Sequence, residues 1–446
     1  MNARILAFAT LASVTTSGLH AQARDADFTI IDAVERALAV HPMVQAAGAS
    51  QQRAAANVGE FTSARLPSLS LDGALLRYDK PMLALPIHGL DAAAFQFDRT
   101  LVQGSVRLGY TLWDGGARGS SIDAARTRES VASSEYQRTQ MSITLDIATT
   151  YLQVLSAVEM LMAHDDGLIA LRAELDRVQR LLAEGAAARI ELLRVEAAIG
   201  NAEAERTAVI IELENARDAL ARGLDIDVAV LPIASFTPVA LKVSLVPSRD
   251  TIAALSMTSN PDLDVADRAV DAALSRRKAA SAGWYPTFDV IGGLQLFGSA
   301  TGSFSTLWQA GLLVSYPLFL GGRRSYTVDA ASASVEIAQY QFASTSLLVQ
   351  EAIDRAVGSV RELRARVDAL TVSAGHLEEI VRIEQLTLDA GTGVQAEYLR
   401  AQADLRETRA RLAQVRHTEI AARLELSRLS GDLDVTWLEQ SLEMTP

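Results

Sequence analysis

The sequence predicts a mainly α-helical protein that also carries a membrane β-barrel, laid out as a tandem repeat of helix-strand-strand-helix-helix. Three observations predict it. The stretch Tyr110-Thr111-Leu112-Trp113-Asp114-Gly115-Gly116-Ala117-Arg118 returns 206 residues later as Tyr316-Pro317-Leu318-Phe319-Leu320-Gly321-Gly322-Arg323-Arg324, identical at five of nine positions. Such duplication of a strand-to-helix junction marks a duplicated architecture. Each Gly-Gly is followed by an unusually long heptad pattern, and each is preceded by short alternating stretches that hold 14 of the 24 aromatic residues.

At the N-terminus, Arg4, the apolar run Ile5 to Ala12 and the small-x-small motif Ala21-Gln22-Ala23 read as a secretory signal over 1–23. No later run reaches the roughly 18 apolar residues of a membrane helix. With no cysteine in the chain, disulfides and a thiol-linked lipid are excluded, and entry into a membrane requires β-structure.

The first repeat is expected over 24–223 and the second over 248–429. The offset of 206 holds without a gap from Ser105 to Arg222, pairing Asp123-Ala124-Ala125 with Asp329-Ala330-Ala331 and Gly185 with Gly391. Upstream it is 219, pairing His41-Pro42 with Asn260-Pro261 and Pro67 with Pro286, so 13 extra residues fall in a surface loop within 81–99. Opening helices are expected over 30–64 and 249–284, each ending before a proline. Membrane hairpins follow over 67–113 and 286–319. In 102–112 Val102, Val106, Leu108, Tyr110 and Leu112 alternate with polar residues, and Trp308, Leu312, Val314, Tyr316 and Leu318 share one face in the copy. Aromatics concentrated there fit the girdles of a barrel.

Long helical hairpins are expected over 117–222 and 323–429. Ile147, Val154, Leu161, Leu168, Leu175 and Leu182 recur every seven residues, as do Ile353, Val360, Val367, Ala374, Val381 and Leu388. Each outbound helix would be on the order of 100 Å long. The turns are Glu184-Gly185-Ala186 and Ala390-Gly391-Thr392-Gly393. The connector 224–247, with Pro232, Pro238 and Pro247, and the tail 430–446 read as a small belt beside the helices.

A net charge of −13 argues against nucleic acid as a partner. His164 falls on the heptad seam with no identifiable partner and reads as a packed core residue, and the adjacent His164-Asp165-Asp166 diverge around a helix rather than forming a metal site. No zinc spacing, Walker lysine or serine elbow is present. No cofactor, metal or enzyme activity is expected.

Four strands per chain cannot close a barrel, which needs about eight, so the chain must associate with itself. Its duplicated layout, Asn260-Pro261, the strand-initiating prolines, Tyr-x-Leu-aromatic-x-Gly-Gly and the tips Gly185 to Glu196 and Gly391 to Gln402 resemble the TolC family of outer-membrane efflux proteins. The resemblance implies a homotrimer with a twelve-stranded β-barrel in outer-membrane lipid, continued by a twelve-helix α-barrel through the periplasm. It implies a channel exporting small molecules or polypeptides, as the exit duct of a tripartite efflux or type I secretion system. Its partners would be a periplasmic adaptor (membrane fusion) protein and, through it, an inner-membrane pump of RND or ABC type. The adaptor would dock at the tips (Glu184, Gly185, Ala186, Glu191, Asp389, Gly391, Thr392, Gly393). The resemblance further implies a pore constriction at Glu397, six residues after Gly391; Arg400 stands where a second acid is frequent, and Leu388 and Gly393 replace closing-contact residues of the family. Trp113, Gly115, Gly116, Phe319, Gly321 and Gly322 are the strand-helix junctions. The rival readings are a periplasmic coiled-coil adaptor and a structural tether without a pore.

Overall fold

The computed structural model describes residues 28–85, 97–233, 236–242, 248–299, 302 and 304–444. The signal segment and the centre of the long first-hairpin loop lie outside the described residues.

Each opening segment is two helices rather than the single one expected. The first repeat has α1 (Ile30–Val40) and α2 (Pro42–Ser63), and the second has α5 (Arg249–Ser259) and α6 (Pro261–Ser281). The break lies at His41 and Asn260, both extended, with ψ of 127° and 121°, and each is followed by proline at the first helical position. Proline there sacrifices no hydrogen bond, because that N–H has no intrahelical acceptor. Asn260 caps the new helix by accepting from Asp262 N at 2.9 Å, and it donates to Leu429 O at 2.9 Å.

Four strands form one antiparallel sheet in the order β1-β2-β4-β5: β1 (Ser68–Leu83), β2 (Phe97–Trp113), β4 (Thr287–Ser299) and β5 (Phe304–Ser315). Leu71 is opposite Val106, Val106 opposite Leu294, and Leu294 opposite Trp308. Paired residues share a face, so one face is an apolar band. Ser70, Arg107, Gln103, Thr111, Asp289 and Gln309 lie on the other, where Arg107 pairs with Asp72 at 2.7 Å and Thr111 donates to Asp289. On the apolar face Leu71 is 81% and Trp308 80% exposed. β5 ends at Ser315, so Tyr316 and Leu318, expected to continue the strand, lie beyond it.

Beyond the sheet run α3 (Ala117–Ala183) and α7 (Arg323–Asp389), each of 67 residues and about 100 Å. The returning helices are α4 (Arg189–Gly223) and α8 (Gln395–Ser430). The helices form a single layer: α2-α3-α6-α7 in the half nearer the sheet and α4-α3-α8-α7 in the half nearer the tips. The heptad residues Ile147, Val154 and Leu168 are buried along α3, as is Leu171 beside them, and Ile353, Val360 and Val367 along α7. Among the described residues no helix is long and apolar enough to cross a membrane.

Midway along α3 lies the main core, where Tyr151, Leu152 and Val154 pack against α1, Leu224, Leu231, Phe236, Val239 and the C-terminal segment. That segment contains α9 (Val435–Ser441) and β6 (Leu442–Met444), which pairs with β3 (Val239–Leu241). The fully buried Tyr151 hydroxyl donates to Phe28 O at 2.6 Å and accepts from Thr237 N at 3.0 Å, fastening this belt to the helix.

Candidate functional site

Two regions hold the residues singled out from the sequence. At the strand-helix joints, Gly115 and Gly116 adopt φ of +67° and +88°, and Gly321 and Gly322 +59° and +82°. This left-handed region is open to glycine at little steric cost. A Cβ on Gly115 would also stand 2.7 Å from Tyr285 Cβ and 2.9 Å from Ala282 O. The strand therefore turns into α3 through close approach to the second repeat. Trp113 packs there on Tyr285 and Phe288, with ring centroids 5.8 and 5.7 Å away. Asp114 accepts from Gly116 N, Arg118 N and Arg118 Nε. Burial pushes its carboxyl up, but these bonds and the Arg118 charge outweigh that and hold it below 3.8.

The second joint lacks such neighbours. A Cβ on Gly321 would meet nothing within 4 Å, and Phe319 is 86% exposed.

At the opposite end the two tips are closed by Gly185 (φ +74°) and Gly391 (φ +76°). Ala186 N donates to Leu181 O at 2.8 Å, and Thr392 and Gly393 N both donate to Thr387 O, satisfying carbonyls that the helix ends would leave free. Gly393 is confined: a Cβ would lie 2.6 Å from Leu388 N, which fits the absence of a larger side chain there. Leu388 is turned inward and buried. Glu191 and Glu397 occupy the first turns of α4 and α8, where the helix dipole favours an acid. Glu397 and Arg400 are both exposed and make no ion pair with each other among the described residues. Glu184, Gly185, Ala186, Asp389, Gly391 and Thr392 are likewise exposed.

The structure adds a cluster that sequence reasoning missed. Glu174 of α3 is 3% exposed, takes a bidentate pair from Arg177 at 2.7 and 2.8 Å, and accepts from Gln395 Nε2 at 3.1 Å. Gln395 begins α8, so this bond ties the first hairpin to the second. The Glu174 bond raises the pKa of Arg177, with further support from the charges of Asp389 and Glu191. One acid from each tip, Glu191 and Asp389, thus adds to the field at one guanidinium. Burial raises the pKa of the adjacent Tyr398 phenol, which accepts from Gln402. In sequence the only trace was the i, i+3 spacing of Glu174 and Arg177.

His164 is buried and has a neighbour after all: Nδ1 lies 3.8 Å from Glu205 of α4. Burial, followed by the charge of Arg406, lowers its pKa from the ordinary histidine value. Asp165 pairs with Arg206 and Asp166 approaches Arg409 at 4.0 Å, so the three adjacent side chains engage separate partners.

Comparison with known proteins places this geometry. The family described as outer membrane efflux protein matches residues 33–224 and 254–432. The proteases secretion protein PrtF of Dickeya chrysanthemi is 24% identical over 318 residues, covering 69% of this chain and 68% of PrtF. A membrane protein from Pseudomonas aeruginosa superposes with a TM-score of 0.77 at 19% identity, over 90% of each chain. The Campylobacter jejuni CmeC outer membrane channel gives 0.74 at 16% identity, over 92% of this chain and 88% of CmeC. The two structural likenesses speak to the fold alone.

Proposed function

The chain belongs to the outer membrane efflux protein family, and from that premise we propose that three copies close into one tube, a twelve-stranded β-barrel continued by twelve helices. The family is one of ducts rather than enzymes, and the protein is an outer-membrane exit duct for efflux or secretion that extends into the periplasm. The observation that carries the trimer reading is the open four-stranded sheet, apolar on one face, with β1 and β5 unpaired at its edges. Lipid tolerates no open sheet edge, and three such sheets joined edge to edge have none. A coiled-coil adaptor has no use for two aromatic strand pairs. Fractionation tests membrane residence: the protein is expected to leave envelopes only with detergent, and release by a salt or alkaline wash would contradict it.

In the assembled tube the tips face the periplasm, where Glu184, Gly185, Ala186, Asp389, Gly391 and Thr392 offer an exposed collar to a periplasmic adaptor. The adaptor would link the duct to an RND or ABC pump, and a type I secretion role accords with the likeness to PrtF. Residues 1–23 serve as the export signal. Three copies of Glu397 would ring the mouth, and a ring of carboxylates concentrates cations. Glu397→Gln is expected to shift the reversal potential in a salt gradient toward zero. An unchanged potential would remove Glu397 from the constriction.

The Glu174–Gln395 tie holds the two tips together at rest. A hydrogen bond to a charged group contributes about 1.5–3 kcal/mol, so Gln395→Ala is expected to raise open probability in planar bilayers about tenfold or more. Identical openings in variant and parent would mean that the tie is only structural.

A further inference from the structure

The two strand-helix joints are copies in sequence and opposites in charge. In the first, Asp114 and Arg118 form an ion pair at 2.7 Å. The offset of 206 carries Arg118 onto Arg324, but it carries Asp114 onto Leu320 and Ala117 onto Arg323. One acid and one base have become two bases and no acid. The second joint keeps the cation, loses its carboxylate and gains a further arginine.

The lost carboxylate leaves its donors behind. Asp114 accepts from Gly116 N, Arg118 N and Arg118 Nε, whose counterparts are Gly322 N, Arg324 N and Arg324 Nε. Arg324 Nε is buried and has no hydrogen-bond partner among the described residues. α7 begins there with no side-chain cap and no acid in its first turn, although a helix N-terminus favours negative charge. An unsatisfied donor held out of water is costly, so an anion in the place of the missing carboxylate would be stabilising.

Arg324 is also held in place. Its guanidinium carbon lies 4.9 Å from the centroid of the Tyr316 ring and 5.4 Å from that of Trp284, and Nη2 donates to Pro317 O. Stacking fixes the guanidinium by its face and leaves the N–H groups of its edge to an oxyanion, whose geometry the planar fork matches. Arg323 and Arg324 border a groove of about 480 Å³, walled by the start of α3, the end of α6, Ser315 and Pro317, and the start of α7. Asp114 borders it too, with its charge matched by Arg118.

The surroundings favour a lipid phosphate over a free one. Residues 275–286 and 317–328 flank the groove and hold Arg276, Arg277, Lys278, Arg323 and Arg324 with no acid, in a chain of net charge −13. Beside them Leu318 and Phe319 are 87% and 86% exposed, and Trp284 and Tyr316 about half exposed. Cations next to exposed aromatic and apolar side chains, at the level where sheet passes into helix, match a layer of phosphates with acyl chains above it. A free anion would need the cations alone.

We propose that the second joint is a phosphate site, occupied by the head group of an anionic phospholipid of the periplasmic leaflet. Its phosphate takes the place that Asp114 fills in the first joint. Arg324 and the first-turn N–H groups of α7 hold the phosphodiester, Arg323 adds its charge, and the acyl chains run past Tyr316 and Leu318. The proposal rests on residence in the outer membrane and is independent of the number of copies.

Native mass spectrometry of the detergent-purified protein, supplied with equal amounts of phosphatidylglycerol and phosphatidylethanolamine, counts the lipids retained per chain. The parent is expected to retain phosphatidylglycerol in preference. Arg324→Gln is expected to weaken that retention about tenfold, the scale of a lost hydrogen bond to a charged group. Leu320→Asp is the sharper variant, because it removes no cation and restores the internal ion pair of the first joint. It is expected to weaken retention as much, with the yield of folded protein unchanged. Equal retention of phosphatidylglycerol by the parent and Leu320→Asp overturns the proposal, as does a parent that retains the two lipids alike. A second arm adds inorganic phosphate without lipid and follows thermal unfolding. Phosphate that stabilises the parent but not Leu320→Asp, while both retain phosphatidylglycerol equally, overturns the lipid and leaves a free-phosphate site. Release from envelopes without detergent overturns the membrane reading and this proposal with it, whereas equal lipid retention in detergent-extracted protein overturns this proposal alone.

Discussion

Leu71→Arg is expected to abolish stable residence in the outer membrane. Leu71 lies on the apolar face of the sheet, opposite Val106, and is 81% exposed in the single chain. Near the bilayer midplane an arginine on the lipid face of a barrel costs about 2–4 kcal/mol, and a trimer carries the substitution three times. The control is Gln103→Arg, one strand away on the polar face, where the side chain meets water and assembly should persist. The readout is the fraction of detergent-extracted protein that migrates as an oligomer. Equal oligomer yields for the two variants would mean that the faces are assigned wrongly.

The second large effect is expected at the first strand-helix joint. Gly115→Ala combines a left-handed backbone at φ +67° with a Cβ 2.7 Å from Tyr285 Cβ and 2.9 Å from Ala282 O. The conformational part costs roughly 1–2 kcal/mol, and overpacking against backbone adds about 1–3 kcal/mol. Gly116→Ala has φ +88° but nothing within 4 Å, so only the conformational part applies. Thermal unfolding followed by circular dichroism should rank Gly115→Ala clearly below Gly116→Ala. The opposite order would remove the close approach of the repeats as the reason for the first glycine.

The contrast between these glycines bears on what the sequence made legible. The repeat, the Gly-Gly joints and the tip glycines were visible, because left-handed turns and 3.5-residue seams leave their residues in fixed local order. The helix breaks at His41 and Asn260 are hidden in the sequence. Proline at the first position of a new helix resumes the helical pattern at once, and the apolar periodicity hides the interruption. Tyr316 and Leu318 alternate like strand residues, yet a strand exists only where a partner supplies its hydrogen bonds, and among the described residues β5 has no paired strand beyond Ser315. The tie at the tips was illegible for another reason. Glu174 and Gln395 are 221 residues apart, and only the packing of α8 against α3 brings them to 3.1 Å.

The position of Glu397 illustrates the same limit. Its place in the first turn of α8 follows from local chemistry, whereas the proposed ring of such residues would be a property of three copies. The joints differ in the same way: the first packs against the second repeat within the chain, and on the trimer reading the second would be completed by another copy.

The central claim, that the chain builds a continuous open-ended tube rather than a rod beside the membrane, is tested most directly by planar-bilayer recording of detergent-purified oligomer. Stepwise ohmic current is expected on each insertion, with the reversal potential displaced in a salt gradient and moved toward zero by Glu397→Gln. Trimers that insert stably and carry no current, in the parent and in the Gln395→Ala variant alike, would contradict it.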